Sequence, residues 1–321
     1  MKALVFSKPG VAEVADVAQP TLGPSDVLVR MRAVGICHSD FGLLEGHYIL
    51  PFSYPVIPGH EWTGEIAEVG SAVTGFCLGD RVVGECAVSD DQHFGFTMDG
   101  AIAEYFKASS AWLHHLPDRC DDTMGALVEP FTIAYSATAN VDASDTVVVM
   151  GAGPIGLCAV ASAAAKGARV VAVEPDPERQ ALASRFGAES TLDPRSGDVP
   201  ERVTELTKGR GADLVIEASG NAIAMATTLQ VAAFGGRIVN VGINVGAEAQ
   251  APLGLIVQKA LRIQGNVGSA GVWPAALRFL DRTGIDLSAI VSRRFPLTQA
   301  VEAIQAAERR SENIKIHIHN D

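Results

Sequence analysis

Residues 146–156 read Thr146-Val147-Val148-Val149-Met150-Gly151-Ala152-Gly153-Pro154-Ile155-Gly156. Five β-branched or apolar residues run into a G-x-G-x-x-G turn. Pro154 then opens an apolar stretch of helical length that stops at Lys166 and Gly167. A strand with no polar alternation is one buried on both faces, as in a parallel sheet. The next such run, Arg169–Val173, leads into Glu174, 18 residues beyond Gly156. Strand, glycine turn, helix, strand and acid together form the dinucleotide-binding fingerprint. Gly151 permits the tight turn, Gly153 lets the backbone approach a pyrophosphate, and Gly156 lets helix and sheet pack closely. With Pro154 and Ile155 they present the positive end of a helix to the phosphates. Glu174 accepts the ribose hydroxyls and repels a 2′-phosphate, which favours NAD over NADP. Arg179, five residues further on, is either a side chain that faces such a phosphate or a solvated residue of the next helix.

Outward from this loop, the rhythm of strand and helix continues through Pro177–Phe186, Asp213–Ile216, Arg237–Val241 and Arg262–Gln264. It predicts a Rossmann-type, doubly wound parallel sheet covered on both faces, with Val241 at its cofactor-binding edge. Upstream the pattern differs. Val27–Arg32, Gly64–Val69, Arg81–Val83 and Ala101–Phe106 are short strands separated by Gly- and Pro-rich turns, which suggests an antiparallel, barrel-like domain. Leu297–Glu308 reads as an amphipathic helix and Ile314–Ile318 as a last strand. The expected division is residues 1–130, 131–267 and a closing segment 268–321.

Composition agrees with two globular domains. The 321 residues are 48% hydrophobic and 19% charged, at roughly 150 residues per domain. Lys and Arg number 25 against 37 Asp and Glu, a net charge of −12. That balance leaves no electrostatic footprint for nucleic acid or an anionic membrane. Five scattered cysteines make no disulfide framework. With no signal peptide or membrane span legible, the expectation is a soluble protein of the cytoplasm.

The upstream half carries Cys37, His60, Glu61 and, at its junction with the second half, Glu129, all in loops. Thiolate, imidazole and carboxylate are zinc ligands, and three of them with an open position make a catalytic site. Their separations carry no short-range signature, so the residues alone also allow a buried thiol and unrelated acids.

The strings GICHSD (35–40), PVIPGHEWTGEIAEVG (55–70), GDRVVGE (79–85), DGAIAEYF (99–106), VEPF (128–131) and VVVMGAGPIGLCAV (147–160) resemble the zinc-dependent medium-chain dehydrogenase/reductase family over essentially the whole chain. The resemblance implies a GroES-like, mostly antiparallel β catalytic domain beside the Rossmann domain, with the chain's end returning to the former. It implies Cys37, His60 and Glu129 as ligands of one catalytic Zn2+, and Glu61 as an acid that approaches or ligates the metal. Ser39 matches the hydroxyl of the proton relay, Asp40 an acid behind the site, and His38 a cofactor-pyrophosphate contact. Glutamate at 129 is the choice of polyol-type members. The implied activity is hydride transfer between NAD(H) and a secondary alcohol or ketone of polyol, sugar-alcohol, cyclitol or amino-alcohol type, by a homodimer or homotetramer. A zinc-free quinone or enone reductase and a non-catalytic NAD-binding protein are the rivals.

Two departures stand out. Where many relatives continue the relay with a histidine, this chain has Gly42, with His47 nearby. The stretch 84–100, where relatives carry four structural-zinc cysteines, holds Cys86 alone, beside Asp90, Asp91 and His93. One zinc per chain is therefore expected.

Overall fold

A computed structural model of the chain describes residues 1–87, 92–269, 271–309 and 311–320. Its contacts divide the chain into one unit of Met1–Glu129 with Gly268–Asp321 and a second of Pro130–Val267.

The first unit is mostly antiparallel. Its strands are β1 (Lys2–Lys8), β2 (Val11–Asp16), β3 (Asp26–Gly35), β4 (Glu61–Val69), β5 (Arg81–Gly84), β6 (Tyr105–Ser109) and β7 (Leu113–His115). The C-terminal segment adds β14 (Val291–Pro296) and β15 (Lys315–His319). The main sheet runs β14-β15-β3-β4-β5-β7, with β6 also paired to β3, while β1 and β2 form a separate hairpin. The core is apolar and aromatic, with Phe6, Trp62, Phe94, Phe96 and Met31 essentially inaccessible. Phe94 and Phe96 therefore pack in the core, as does most of Trp112.

The expected strand at Ala101–Phe106 begins only at Tyr105. The backbone of 100–102 is bonded instead to the loop before β4, with Ala101 N–H on the Gly59 carbonyl at 2.9 Å and Ile102 N–H on that of Pro58 at 3.1 Å. The expected helix at Leu297–Glu308 opens as a 3-10 turn, Leu297–Gln299, before the α-helix Ala300–Glu308.

The second unit is a parallel sheet of β8 (Thr146–Met150), β9 (Arg169–Val173), β10 (Ser190–Leu192), β11 (Ala212–Glu217), β12 (Ala232–Asn240) and β13 (Arg262–Gly265). The spatial order is β10-β9-β8-β11-β12-β13. This is the doubly wound order, in which the first strand lies at the centre and the chain reverses direction beside it. The helices Pro154–Ala165, Pro177–Arg185, Val199–Leu206 and Ala222–Val231 connect the strands. Val147, Val148 and Val149 have no accessible surface, as a central strand covered on both faces requires. Both units thus have the architecture expected of a Rossmann domain and a GroES-like domain.

Candidate active site

Three adjacent strands of the first unit bring its chemistry together. In the β3–β4 pair Gly35 faces Glu61, and in the β15–β3 pair it faces His317. Cys37 follows the end of β3, His60 and Glu61 stand at the start of β4, and Lys315 opens β15. One ligand atom from each of Cys37, His60 and Glu61 lies within 4.8 Å of the others. The Lys315 ammonium forms an ion pair with the Glu61 carboxylate and donates to the Ile36 carbonyl at 3.0 Å. Gly35 is the opening for this pair: a Cβ there would stand 2.4 Å from Glu61 Oε2 and 3.1 Å from Lys315 Cε.

Cys37 caps the helix His38–Glu45, and Asp40 reaches back to accept its N–H at 2.9 Å. The other Asp40 oxygen faces His60 Nδ1 at 3.7 Å, and neither atom has a hydrogen-bond partner among the described residues. Ser39 Oγ lies 3.4 Å from His60 Nε2.

The charges here are unbalanced. Burial alone would lower the His60 pKa, yet Cys37, Asp40 and Glu129 outweigh it and raise it to about 10. Burial raises the Asp40 carboxyl. Burial, with Glu61 adding to it, pushes Glu129 up to about 7 despite the opposing His60. Glu129 lies outside the three-residue group but feels the charges of His60, Glu61, Lys315 and Asp40. A thiol, an imidazole and a carboxylate converging among buried acids fit a zinc ion with a position left open. A carboxylate behind the histidine is the usual support of such a ligand.

In the second unit the glycines separate by role. A Cβ on Gly156 would stand 2.0 Å from the Gly151 carbonyl oxygen, and one on Gly151, whose φ is +94°, would meet Ser219 at 2.8 Å. A Cβ on Gly153 would meet no atom of the described residues within 4 Å beyond its chain neighbours, so it leaves an open cradle at the N-terminus of Pro154–Ala165, which fits a pyrophosphate. Glu174 is buried and accepts from Ala152 N–H at 2.7 Å and Asp176 N–H at 3.0 Å. Arg179 sits half-buried in the first turn of the next helix. Val241, just past β12, donates its N–H to the Glu217 carbonyl at 2.8 Å.

Comparison with known proteins bears on both units. Residues 23–118 match the alcohol dehydrogenase GroES-like domain, and residues 154–282 match the zinc-binding dehydrogenase family. A sorbitol dehydrogenase of Halalkalibacterium halodurans is 33% identical over 96% of this chain and 97% of its own length. The chain belongs to the zinc-binding alcohol dehydrogenase family. It is an oxidoreductase, with zinc and a nicotinamide dinucleotide as the cofactors. The solved 2R,3R-butanediol dehydrogenase of Bacillus subtilis is similar in fold, with a TM-score of 0.91, 28% identity and coverage of 100% of this chain and 99% of that one. A zinc-binding dehydrogenase of Sinorhizobium meliloti bound to NADP has a TM-score of 0.90 at 29% identity, covering 99% and 98% of the two chains.

Within this family site, several positions carry information that the sequence reading did not supply. His38 is exposed, its ring 5.9 Å from that of Phe41. His47 does not take the place of a histidine at 42: it is exposed and its Nε2 faces Glu45 at 3.2 Å. The side chain against Gly42 is Tyr48. Cys86 feels the charges of Glu129 and Cys37, and burial raises its thiol well above the ordinary range. The cysteine left over from a structural-zinc stretch thus sits in the surroundings of the catalytic cluster. Asp90 and Asp91 lie outside the described residues. Lys315 was missed altogether, although Lys315, His317 and His319 alternate with isoleucines, a polar face on a strand that proves to be buried.

Proposed function

We propose that this enzyme transfers hydride between NAD(H) and a secondary hydroxyl of a polyol-type substrate or the matching ketone. The observation that carries the reading is the convergence of Cys37, His60 and Glu61 on one point. In this reading those three side chains hold a single catalytic zinc, and Glu129 is the carboxylate that exchanges with Glu61. Zinc, when bound, supplies Lewis-acid polarisation of an alcohol oxygen, and the nicotinamide supplies the hydride acceptor.

The chain's own residues do the rest. Asp40 places its charge behind the His60 ring, and Lys315 holds Glu61 in place. The Ser39 hydroxyl accepts the hydrogen bond of the substrate O–H and passes its proton outward. In the second unit Gly151, Gly153, Pro154, Ile155 and Gly156 seat the pyrophosphate, and Glu174 selects NAD by accepting from the ribose. Arg179, Val241 and His38 complete the cofactor contacts. The polyol class is supported by Glu129 and by the relatives, one named for sorbitol and one for butanediol.

The proposed setting is a cytoplasmic homo-oligomer. All five cysteines are free thiols, as a reducing compartment allows, and among the described residues no helix is long and apolar enough to cross a membrane. Strand β13 ends its sheet with every residue exposed, flanked by Leu253, Val257 and Val267 at 65%, 85% and 64% exposure. An uncovered edge bordered by apolar side chains is a template for pairing with a second copy.

The test is purified protein with NAD and a panel of sugar alcohols, cyclitols, vicinal diols and amino alcohols, with NADH absorbance as readout. Metal analysis and NADH titration follow in parallel on Cys37→Ala. One zinc per chain, lost in the variant together with turnover while NADH still binds, is the expected result. Turnover in Cys37→Ala within tenfold of the unaltered enzyme would refute the assignment.

A further inference from the structure

We infer that Asp193 is a positioning residue for cofactor choice: it pins the Arg195 guanidinium on the turn that carries Glu174 and so withholds it from a 2′-phosphate. The inference deepens the reading of Glu174 as the acceptor of the adenosine ribose and rests on it. Strands β9 and β10 are parallel neighbours that end together, Val173 opposite Leu192. The carboxyl ends of such strands are where a doubly wound sheet binds its ligands. The segments that follow are tied to each other. Glu174 N–H donates to the Leu192 carbonyl at 2.9 Å. Gln180 Nε2 donates to the Glu174 carbonyl at 2.6 Å, and Thr191 Oγ1 donates to Gln180 Oε1 at 3.4 Å. The loop after β10 is thereby held against the Glu174–Pro175 turn.

Arg195 closes this junction. Its Nε stands 3.0 and 3.3 Å from the two Asp193 carboxylate oxygens, and its Nη2 stands 2.9 Å from Oδ2. Nη2 also donates to the carbonyl of Pro175, the residue after Glu174. The Arg195 backbone N–H donates to Asp193 Oδ1 at 2.9 Å, so the loop's own turn brings the pair together. Two N–H groups on one carboxylate fix the guanidinium plane as a single contact does not. The Asp193 side chain is 26% exposed and that of Arg195 67%, so the pair borders solvent and a ligand can reach it.

A guanidinium holds a phosphate by the same fork with which it holds a carboxylate. Asp193 and a 2′-phosphate therefore compete for the same N–H groups. With Asp193 in place the positive charge is neutralised where it stands, and Glu174 and Asp176 add negative charge around it. A cofactor without the phosphate loses nothing by this arrangement, whereas one with it meets Glu174 with no free cation to offset the repulsion. Arg195 reaches this place through the pairing of β10 with β9, while Arg179 belongs to the next helix.

Asp193→Asn keeps the side chain's shape and an oxygen for the Arg195 N–H but removes the charge that holds the guanidinium. NADH and NADPH are titrated by fluorescence against the unaltered protein, Asp193→Asn, Arg195→Ala and the double variant. Asp193→Asn is expected to tighten NADPH about tenfold, the worth of one hydrogen bond to a charged group, with NADH affinity and Tm unchanged. Made on top of Arg195→Ala, the same substitution is expected to change NADPH affinity less than about twofold, because the group it releases is gone. An equal gain with and without Arg195 overturns the inference, since loss of the Asp193 charge alone then accounts for it. Weaker binding of both cofactors together marks a merely structural role and also overturns it. So does unchanged NADPH affinity in Asp193→Asn; if Glu174→Ser still shifts the ratio of NADH to NADPH affinity, the Glu174 reading stands. An unaltered ratio in both Asp193→Asn and Glu174→Ser overturns both.

Discussion

Replacing Lys315 by methionine removes an ammonium from the centre of the cluster and little else, since the two side chains are similar in length. Lys315 is 5% exposed and Glu61 1%. Burial pulls the lysine's pKa down, but Glu61, Cys37 and Glu129 more than offset this and hold it above its ordinary value. Without the ammonium, Glu61 becomes a buried charge facing Asp40 and Glu129, and the Ile36 carbonyl loses its donor. Breaking one side of a buried pair costs about 3–5 kcal/mol. In a unit the size of residues 1–129 with 268–321, each kcal/mol lowers Tm by about 2–4 °C, giving a drop of about 6–20 °C.

That figure applies to the metal-free protein. Where Glu61 reaches the zinc it has a second counter-charge, so the loss in the zinc-loaded enzyme is smaller. By linkage the variant gains more stability from zinc than the unaltered protein does. Calorimetric melts of both proteins, zinc-loaded and chelator-treated, measure the four values needed. A loss equal in the two forms within about 2 °C, less than one kcal/mol on the same scale, would show that Glu61 does not share its charge with the metal. No loss in the metal-free form would show that the buried pair is not holding the site.

Three further outcomes follow from particular contacts. Gly156→Ala forces a methyl to within 2.0 Å of the Gly151 carbonyl oxygen, which no side-chain movement relieves. It should cost about 1–3 kcal/mol or more and weaken NADH binding at least about tenfold in a fluorescence titration; unaltered affinity contradicts the loop assignment. Glu174→Ser removes the acceptor for Ala152 and Asp176 N–H as well as the charge opposing a 2′-phosphate, so the preference for NAD over NADP should fall; steady-state kinetics with both cofactors decide it, and an unchanged ratio sinks the assignment. His317 is 1% exposed, and burial with the charges of Lys315, Arg294 and His319 lowers its pKa to about 3. It stays neutral in the fold while the unfolded chain takes up a proton below pH about 6.5, so its contribution is full above that value and is lost as pH falls toward 3, by up to about 1.4 kcal/mol per unit. Denaturant midpoints at pH 7 and pH 5 should therefore differ by less in His317→Asn than in the unaltered protein, and an equal difference refutes the account.

How much of this was legible in the sequence depends on whether the interacting residues are neighbours in the chain. The glycine loop and Glu174 are local, and strand, turn and helix declared themselves within 30 residues. The ligand cluster is not local. Cys37 and His60 have no spacing that demands a metal, and resemblance rather than periodicity singled them out. What makes them meet is the order β15-β3-β4, which no single segment encodes. Lys315 looked like one polar residue in a last strand because its burial depends on that same order.

The charge balance was still less visible. Asp40, Glu61 and Glu129 come from stretches far apart in sequence, and a net charge of −12 says nothing about where the charge lies. With all three ionised, His60 and Lys315 offset only part of the negative charge, and burial accordingly raises the Asp40 and Glu129 carboxyls. Burying charge without compensation is expensive enough that such groups ordinarily neutralise instead. A divalent cation at the point where Cys37, His60 and Glu61 converge would resolve that imbalance. This argument for a divalent cation is independent of the family resemblance and exists only once the segments are folded into one place.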